Sequence, residues 1–107
     1  MDRTPPVISL AAAHALPLPS DRLSAEAFHN ADVEIRFADR PTKGPQVPHT
    51  RDEFYIVASG TGRYRVQDRV TEIGPGDLLF AAAHAPHGFE DYSDDFAIWI
   101  VFYGAEK

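Results

Sequence analysis

Apolar and polar residues alternate along much of the chain after residue 30. Val33, Ile35 and Phe37 are separated by charged residues, which is the period of a half-buried β-strand. The same alternation, or a short apolar run between turns, predicts further strands over residues 53–59, 63–67, 70–73, 77–82, 87–91 and 96–103. Residues 40–45 contain a Gly-Pro pair and predict a loop. Seven or eight short strands without a helical period predict an all-β sandwich or barrel.

The first 30 residues differ from the rest and predict an N-terminal arm. Prolines at positions 5, 6, 17 and 19 prevent a long helix in this part of the chain. Ser20 and Asp21 are expected to cap a short turn over residues 23–27. A chain of 107 residues has room for one core, so residues 31–107 are predicted to form a single domain.

The segment 96–103 is apolar on both faces, unlike the other predicted strands. A strand with two apolar faces needs a cover on each side. One face can pack inside the domain, and the other needs the N-terminal arm or a second subunit. We therefore expect a homodimer.

Composition and charge exclude several classes of partner. The hydrophobic fraction of 44% and the charged fraction of 24% are ordinary for a globular protein and argue against general disorder. The net charge of −6 argues against a nucleic-acid partner, and the scattered lysines and arginines argue against a membrane surface. The apolar run 7–18 is interrupted by His14 and Pro17 and makes a poor signal peptide, so the cytoplasm is the expected location.

Two histidines and one glutamate occur where predicted strands begin. His49 lies four residues before Glu53, and His87 follows the second apolar strand along the chain. If the two strands face each other, the three side chains meet, and two imidazoles with one carboxylate form a facial metal site. The chain has no cysteine, so any metal takes nitrogen and oxygen ligands. The simpler alternative is a loop histidine beside a carboxylate that pairs with Arg51.

The spacing around Glu53 resembles the first sequence motif of the cupins, which are small double-stranded β-helix (jelly-roll) barrels. Glu53, six intervening residues and Gly60 match this motif. His49 matches the second of its two histidines. Val47 stands where the first histidine is usual.

The second cupin motif is also present with its spacing intact. Gly76, His87 and Asp91 occupy the motif positions of glycine, histidine and asparagine, while Ala82 and His84 replace the usual proline and glycine. The resemblance covers residues 31–104. It implies a jelly-roll barrel with one divalent transition metal held by His49, Glu53 and His87; Fe, Mn, Zn, Ni and Cu are not distinguished.

Cupins include metal-dependent dioxygenases, isomerases, epimerases and lyases, and also members that bind small ligands without any chemistry. The resemblance therefore implies a small-molecule substrate or ligand but does not choose between an enzyme and a binding or sensing protein. A third alternative is a barrel whose metal site has decayed, because Val47 replaces one usual ligand.

Other residues are weaker candidates for the site. His84 can be a further ligand or a base near His87, or a loop residue in a left-handed turn. Gln46 lies near the place of the missing ligand and can offer its amide oxygen. Tyr55 shares the strand face of Glu53 and is either a catalytic hydroxyl or an ordinary core residue. Four arginines are expected on a solvated face, although they can also bind an anionic substrate: Arg36, Arg51, Arg63 and Arg65.

Overall fold

The computed structural model describes residues 7–20, 22–46 and 48–107. Within these residues the chain forms one short helix and nine β-strands. In chain order they are α1 (Leu10–His14), β1 (Ala25–His29), β2 (Val33–Asp39), β3 (Gly44–Gln46), β4 (Asp52–Ser59), β5 (Gly62–Val66), β6 (Arg69–Ile73), β7 (Leu78–Ala81), β8 (His87–Tyr92) and β9 (Ala97–Tyr103). The all-β prediction is therefore confirmed.

The strands form two antiparallel sheets that pack as a jelly roll. The larger sheet has the order β1-β2-β9-β4-β7, and the smaller sheet has the order β3-β8-β5-β6. Because β4 and β8 lie in different sheets, residues at their starts can face each other across the interior. This arrangement places Glu53 and His87 on opposing walls of the barrel.

Two strands were not expected from the sequence. Ala25–His29, within the range of the predicted arm, form β1 and pair with β2 at the edge of the larger sheet. The turn expected over residues 23–27 is wrong because β1 begins at Ala25 and is stabilised by this pairing; Asp21 lies outside the described residues. Gly44–Gln46 pair with β8, although residues 40–45 were predicted as a loop.

The core lies between the two sheets and is rich in aromatic residues. Its largest fully buried apolar side chains are Tyr55, Phe89, Phe96, Ile98 and Val57. Ring pairs such as Tyr55 with Phe89, 5.2 Å apart between centroids at 69°, have the edge-to-face geometry that aromatic side chains favour. This packing fixes the inner faces of β4 and β8, which carry two of the predicted ligands.

The outer face of β9 is covered in part by the N-terminal region. Ala97 is fully buried, and it packs with Phe37 and Ala13 beneath α1, with Trp99 beside them. Ser9 caps this helix by accepting a hydrogen bond from the backbone N–H of Ala12. On the other face of β9, Ile98 and Ile100 pack into the core. Both apolar faces of this strand are therefore at least partly covered.

The turn between β4 and β5 requires a glycine at position 60. Gly60 has a φ of 75°, and a Cβ atom there would lie 2.7 Å from the Cα atom of Phe96. Any larger residue would separate this turn from the start of the β9 segment.

Within the described part of the chain, no helix is long and apolar enough to cross a membrane.

Candidate metal centre

The three predicted ligands come together in the structure. Glu53 is the second residue of β4 and points inward, where its side chain is 1% exposed. His87 is the first residue of β8 and is also buried, whereas His49 lies in the loop before β4 and its side chain is 42% exposed. The ligand atoms of all three residues lie within 4.8 Å of one another. The strand positions explain why: the barrel brings the starts of β4 and β8 to the same point.

The Glu53 carboxylate lies between the two imidazoles. Its Oε1 atom is 2.9 Å from Nε2 of His87 and 3.7 Å from Nε2 of His49. The two imidazole rings are 5.8 Å apart between centroids and tilted by 45°. Two nitrogen atoms and one carboxylate oxygen therefore converge, as a facial metal site requires.

The same carboxylate has no hydrogen-bond partner within the described residues. Both Oε1 and Oε2 of Glu53 are buried and accept no hydrogen bond, and the close contact of Oε1 with Nε2 of His87 becomes an ion pair only when His87 is protonated. Burying a carboxylate costs several kcal/mol unless a charge or hydrogen bonds compensate it. A divalent cation held by Glu53, His49 and His87 would compensate it, so the residues present fit a metal ion.

The local hydrogen bonds of His87 prepare its ring for metal binding. Nδ1 lies 2.9 Å from the carbonyl oxygen of Ala85, which can only accept, so Nδ1 carries the proton. The neutral ring then has its lone pair on Nε2, which is the atom that faces Glu53. Burial by itself lowers the pKa of His87, but the contacts with Glu53 and Ala85 outweigh it and raise the pKa above 6.5. In the metal-free protein a proton thus competes for the position of the metal.

His49 is held mainly through its backbone. Its carbonyl oxygen accepts a hydrogen bond of 2.8 Å from the backbone N–H of His84. Its ring contacts the ring of Phe102, with 5.1 Å between centroids. This ligand is therefore placed by a loop and not by a strand.

Two tyrosines lie beside the site as neutral phenols. The hydroxyl of Tyr55 is 3.0 Å from Nε2 of His87, and the hydroxyl of Tyr64 donates to the carbonyl of Phe80 at 3.2 Å. Burial, followed by the charge of Glu53, raises the pKa of both hydroxyls well above the ordinary value. Tyr55 is therefore a hydrogen-bond donor at neutral pH and not a base.

The site opens into a cavity of about 300 Å³. The cavity is lined by His49, Glu53 and Tyr55 together with two arginines, Arg22 and Arg36. The rest of the wall is mostly apolar and includes Leu23, Ala38, Pro41, Ile98, Ile100 and Phe102. Its size suits a small molecule.

The side chain of His84, another candidate from the sequence, makes its hydrogen bond to the C-terminal residue and not to the three predicted ligands. His84 adopts a positive φ of 68°, as the loop alternative expected, and its Nε2 atom donates to the main-chain oxygen of Lys107 at 2.7 Å. The backbone of Gln46 pairs with His87 between β3 and β8. The side chain of Gln46 and all of Val47 lie outside the described residues.

The expectation of a solvated face is wrong for Arg36. Its register neighbour on β9 is Ile100, so both point into the barrel, and Arg36 is only 4% exposed. The sequence predicted the alternation of apolar and polar residues along β2. It did not predict that the polar residues of this strand lie on its inner face, at the mouth of the cavity. Sequence reasoning also missed Ser24 and Arg22, which stand outside any motif.

Comparison with known proteins agrees with this geometry. Residues 33–103 match the sequence family described as Cupin domain. The match covers well over half of the chain, so the protein belongs to the cupins. An uncharacterized protein of Streptomyces coelicolor is 32% identical over 73 residues, which are 68% of this chain and 70% of that protein.

Solved structures share the fold at low sequence identity. A protein with a double-stranded β-helix domain from Klebsiella pneumoniae has a TM-score of 0.70 at 17% identity, with 92% of this chain and 90% of that chain covered. The Fe(II) form of HppE with an alternative substrate has a TM-score of 0.62 at 17% identity, with 76% of this chain and 48% of that chain covered. These similarities confirm the double-stranded β-helix.

Proposed function

We propose that this cupin binds one divalent transition metal through His49, Glu53 and His87 and acts as a metal-dependent enzyme on a small organic molecule. The observation that carries the proposal is the buried Glu53 carboxylate, which has no hydrogen-bond partner within the described residues and lies between two imidazoles. The Fe(II) bound by HppE, a protein of similar fold, supports the same proposal.

When bound, the metal supplies Lewis-acid polarisation of a coordinated oxygen and a template for the substrate. The protein residues have separate tasks. His87 presents Nε2 in a fixed orientation through its Nδ1 bond to Ala85. Tyr55 keeps its proton and can donate a hydrogen bond at the edge of the site, 3.0 Å from His87. The apolar part of the wall offers contacts to the carbon skeleton of a bound molecule.

The reaction is proposed to be of the dioxygenase, isomerase or lyase type. One observation favours a second candidate, a small-ligand binding or sensing protein without turnover. Among the described residues of the cavity wall, Tyr55 is the one titratable side chain besides the arginines and the proposed ligands. Its raised pKa makes it a poor base at neutral pH. Turnover of a bound molecule would favour the enzyme, and binding without turnover the sensor.

The primary test is the metal content of the purified protein after dialysis. We expect about one metal ion per chain when the protein is loaded with Fe(II), Mn(II), Ni(II), Zn(II) or Cu(II) in turn, as a site with three protein ligands predicts. Anomalous scattering should place the ion between His49, Glu53 and His87. Absence of binding for all five metals would contradict the proposal and support a decayed site.

We also propose that the protein forms a homodimer through the outer face of the larger sheet. Leu78 and Phe80 on the edge strand β7 are 65% and 46% exposed, and they lie opposite Ile56 and Phe54 of β4. Together with Tyr103 these residues form an apolar surface beyond the reach of α1. A second copy would bury this surface while leaving the cavity on the inner face open.

Sedimentation velocity at micromolar concentration tests the dimer. The wild-type protein should sediment at twice the chain mass of 11.8 kDa, and Leu78→Glu should shift it to the monomer without loss of metal. A wild-type protein that remains monomeric would contradict this proposal and leave the metal site unaffected.

A further inference from the structure

The cavity contains two arginines that the metal site does not need. Arg36 on β2 and Arg22 before β1 line the same cavity as His49 and Glu53. Arg36 is 4% exposed, and a buried guanidinium is rare unless it has partners or a role. Arg22 is exposed at the same cavity.

Arg36 is held rigidly but is not saturated with hydrogen bonds. Its Nε and Nη2 atoms donate to the hydroxyl and the carbonyl of Ser24 at 2.7 and 2.6 Å, and Nη1 donates to Glu34 at 3.0 Å. A guanidinium has five N–H groups, so one remains on each of Nη1 and Nη2 without a partner within the described residues. Two free N–H groups on one guanidinium can both donate to a single carboxylate.

The charges around the cavity favour an anion. With the proposed divalent metal ion bound, the two arginines and the metal would carry more positive charge than Glu34 and Glu53 carry negative charge. This positive cavity belongs to a chain with a net charge of −6, so the excess is local. A partly closed, low-dielectric cavity strengthens the attraction for a negatively charged ligand.

We propose, on the basis of the proposed metal site, that the ligand of this cavity is a small carboxylate. Its carboxylate group lies against Arg36 and Arg22, and a second oxygen of the molecule faces the metal. The apolar remainder of the wall, with Leu23, Ile100 and Phe102, contacts the carbon skeleton. A cavity of about 300 Å³ is at the lower end of ligand sites, which favours a short molecule.

A pair of matched probes separates the arginine contribution from the metal contribution. Succinic acid monohydroxamate has a metal-chelating hydroxamate at one end and a carboxylate at the other. Its primary amide analogue has the same size and chelating group but no charge. Calorimetry with the metal-loaded protein should give at least about tenfold tighter binding for the carboxylate probe.

Substitution of the exposed arginine should remove much of this preference. Arg22→Gln should weaken the carboxylate probe by about three- to tenfold and leave the amide probe and the metal content unchanged. Arg36→Lys, which keeps the charge but removes the planar guanidinium with its two free N–H groups, should also weaken binding of the carboxylate probe alone. Arg69→Gln is the matched control, because it removes the same charge from an exposed position on β6.

The outcomes distinguish the two proposals. Equal affinity for both probes in a protein with full metal content would overturn the carboxylate inference and leave the metal site intact. Equal weakening by Arg22→Gln and Arg69→Gln would also overturn it, because the effect would then be one of net charge. A protein that retains no metal would contradict the proposed function and this inference together.

Discussion

His87 and His49 offer the same chemical group to the site, but the protein holds them in different ways. His87 begins a strand, is almost fully buried, and has its ring oriented by Ala85 and Tyr55. His49 lies in a loop, is 42% exposed, and has its backbone rather than its ring fixed by a hydrogen bond from His84.

The difference indicates how the site is assembled. Glu53 and His87 are positioned by the barrel and need little further ordering. His49 must be ordered by its loop, and ordering a loop and a side chain costs conformational entropy. For the proposed metal, the barrel would therefore fix the position of the ion, and the His49 loop would set how tightly the ion binds.

Removal of either histidine should have the largest effect. His87→Ala and His49→Ala should each lower metal affinity by more than about 100-fold, because loss of a ligand exceeds the usual effect of losing its supporting contacts. They should differ in stability. His87→Ala leaves a cavity in the interior and should lower the free energy of unfolding by about 1–3 kcal/mol, whereas His49→Ala should have little effect.

Metal per chain after dialysis, with circular dichroism and denaturant unfolding, measures both effects. His14→Ala and His29→Ala are the controls, since these exposed histidines pair with Asp39 and Glu26 away from the site. Full metal content in a folded His87→Ala variant would contradict the three-ligand site.

Glu53→Gln should have opposite effects on metal binding and on metal-free stability. The change removes the only anionic ligand and should weaken metal binding. In the metal-free protein it also removes a buried carboxylate that has no hydrogen bond within the described chain. At alkaline pH, where His87 is neutral, the free energy of unfolding should rise by about 1–3 kcal/mol. Urea unfolding of the chelator-treated proteins measures this change, and a loss of stability would contradict it.

The metal-free and metal-loaded proteins should respond differently to acid. Without metal, the raised pKa of His87 means that its protonation stabilises the fold; this contribution is fully present below about pH 6.5 and is lost as the pH rises through the folded pKa. With metal, protons compete for the ligands, so the added stability is present at neutral pH and lost on acidification. The Tm of the metal-loaded protein should therefore exceed that of the metal-free protein by a margin that shrinks from about pH 8 to about pH 5. A constant difference would show that the ligand histidines do not link metal binding to pH.

The sequence predicted those features that depend on local alternation and on motif spacing. The strands from β4 to β9 were recognised because apolar residues recur between glycine-rich turns. The convergence of His49, Glu53 and His87 was expected if the two strands face each other, and the spacing of the two cupin motifs pointed to the same three residues. By contrast, β1 lies in the proline-interrupted first 30 residues and β3 begins at a Gly-Pro pair, so local sequence favoured an arm and a loop, and only the pairing with β2 and β8 shows that these segments are strands.

Two parts of the site could not be predicted from the sequence. The position of Arg36 depends on which face of β2 points inward, and the support of the His49 loop depends on long-range contacts. Arg36 has the alternation of a solvated residue, and only its pairing with Ile100 shows that it faces the barrel. The residues after β9 contact the His49 loop across more than fifty positions. Lys107 donates from its backbone to Thr50 at 2.6 Å and from its side chain to Asp52 at 2.5 Å.

This C-terminal contact gives the last and smallest prediction. Asp52 also accepts a hydrogen bond of 2.8 Å from the backbone of Ala83, so one carboxylate joins Lys107 to the start of β4, just after the His49 loop, and to the loop that precedes His87. The Lys107 ammonium group lowers the pKa of Asp52, which therefore remains ionised at neutral pH. Lys107→Met should loosen the His49 loop and weaken metal binding by about three- to tenfold, without unfolding the barrel. Chelator competition measures the affinity, and the absorption spectrum of the Co(II) form reports the ligand geometry.

Lys43 offers a matched control. It pairs with Asp91 at 3.3 Å on an exposed surface, so Lys43→Met removes one charge and one ion pair that involve neither the Lys107 nor the Asp52 side chain. If Lys107 positions His49, the spectrum and the affinity of Lys107→Met change while those of Lys43→Met do not. If the two variants behave alike, the His49 loop is ordered by the His84 hydrogen bond and the metal itself.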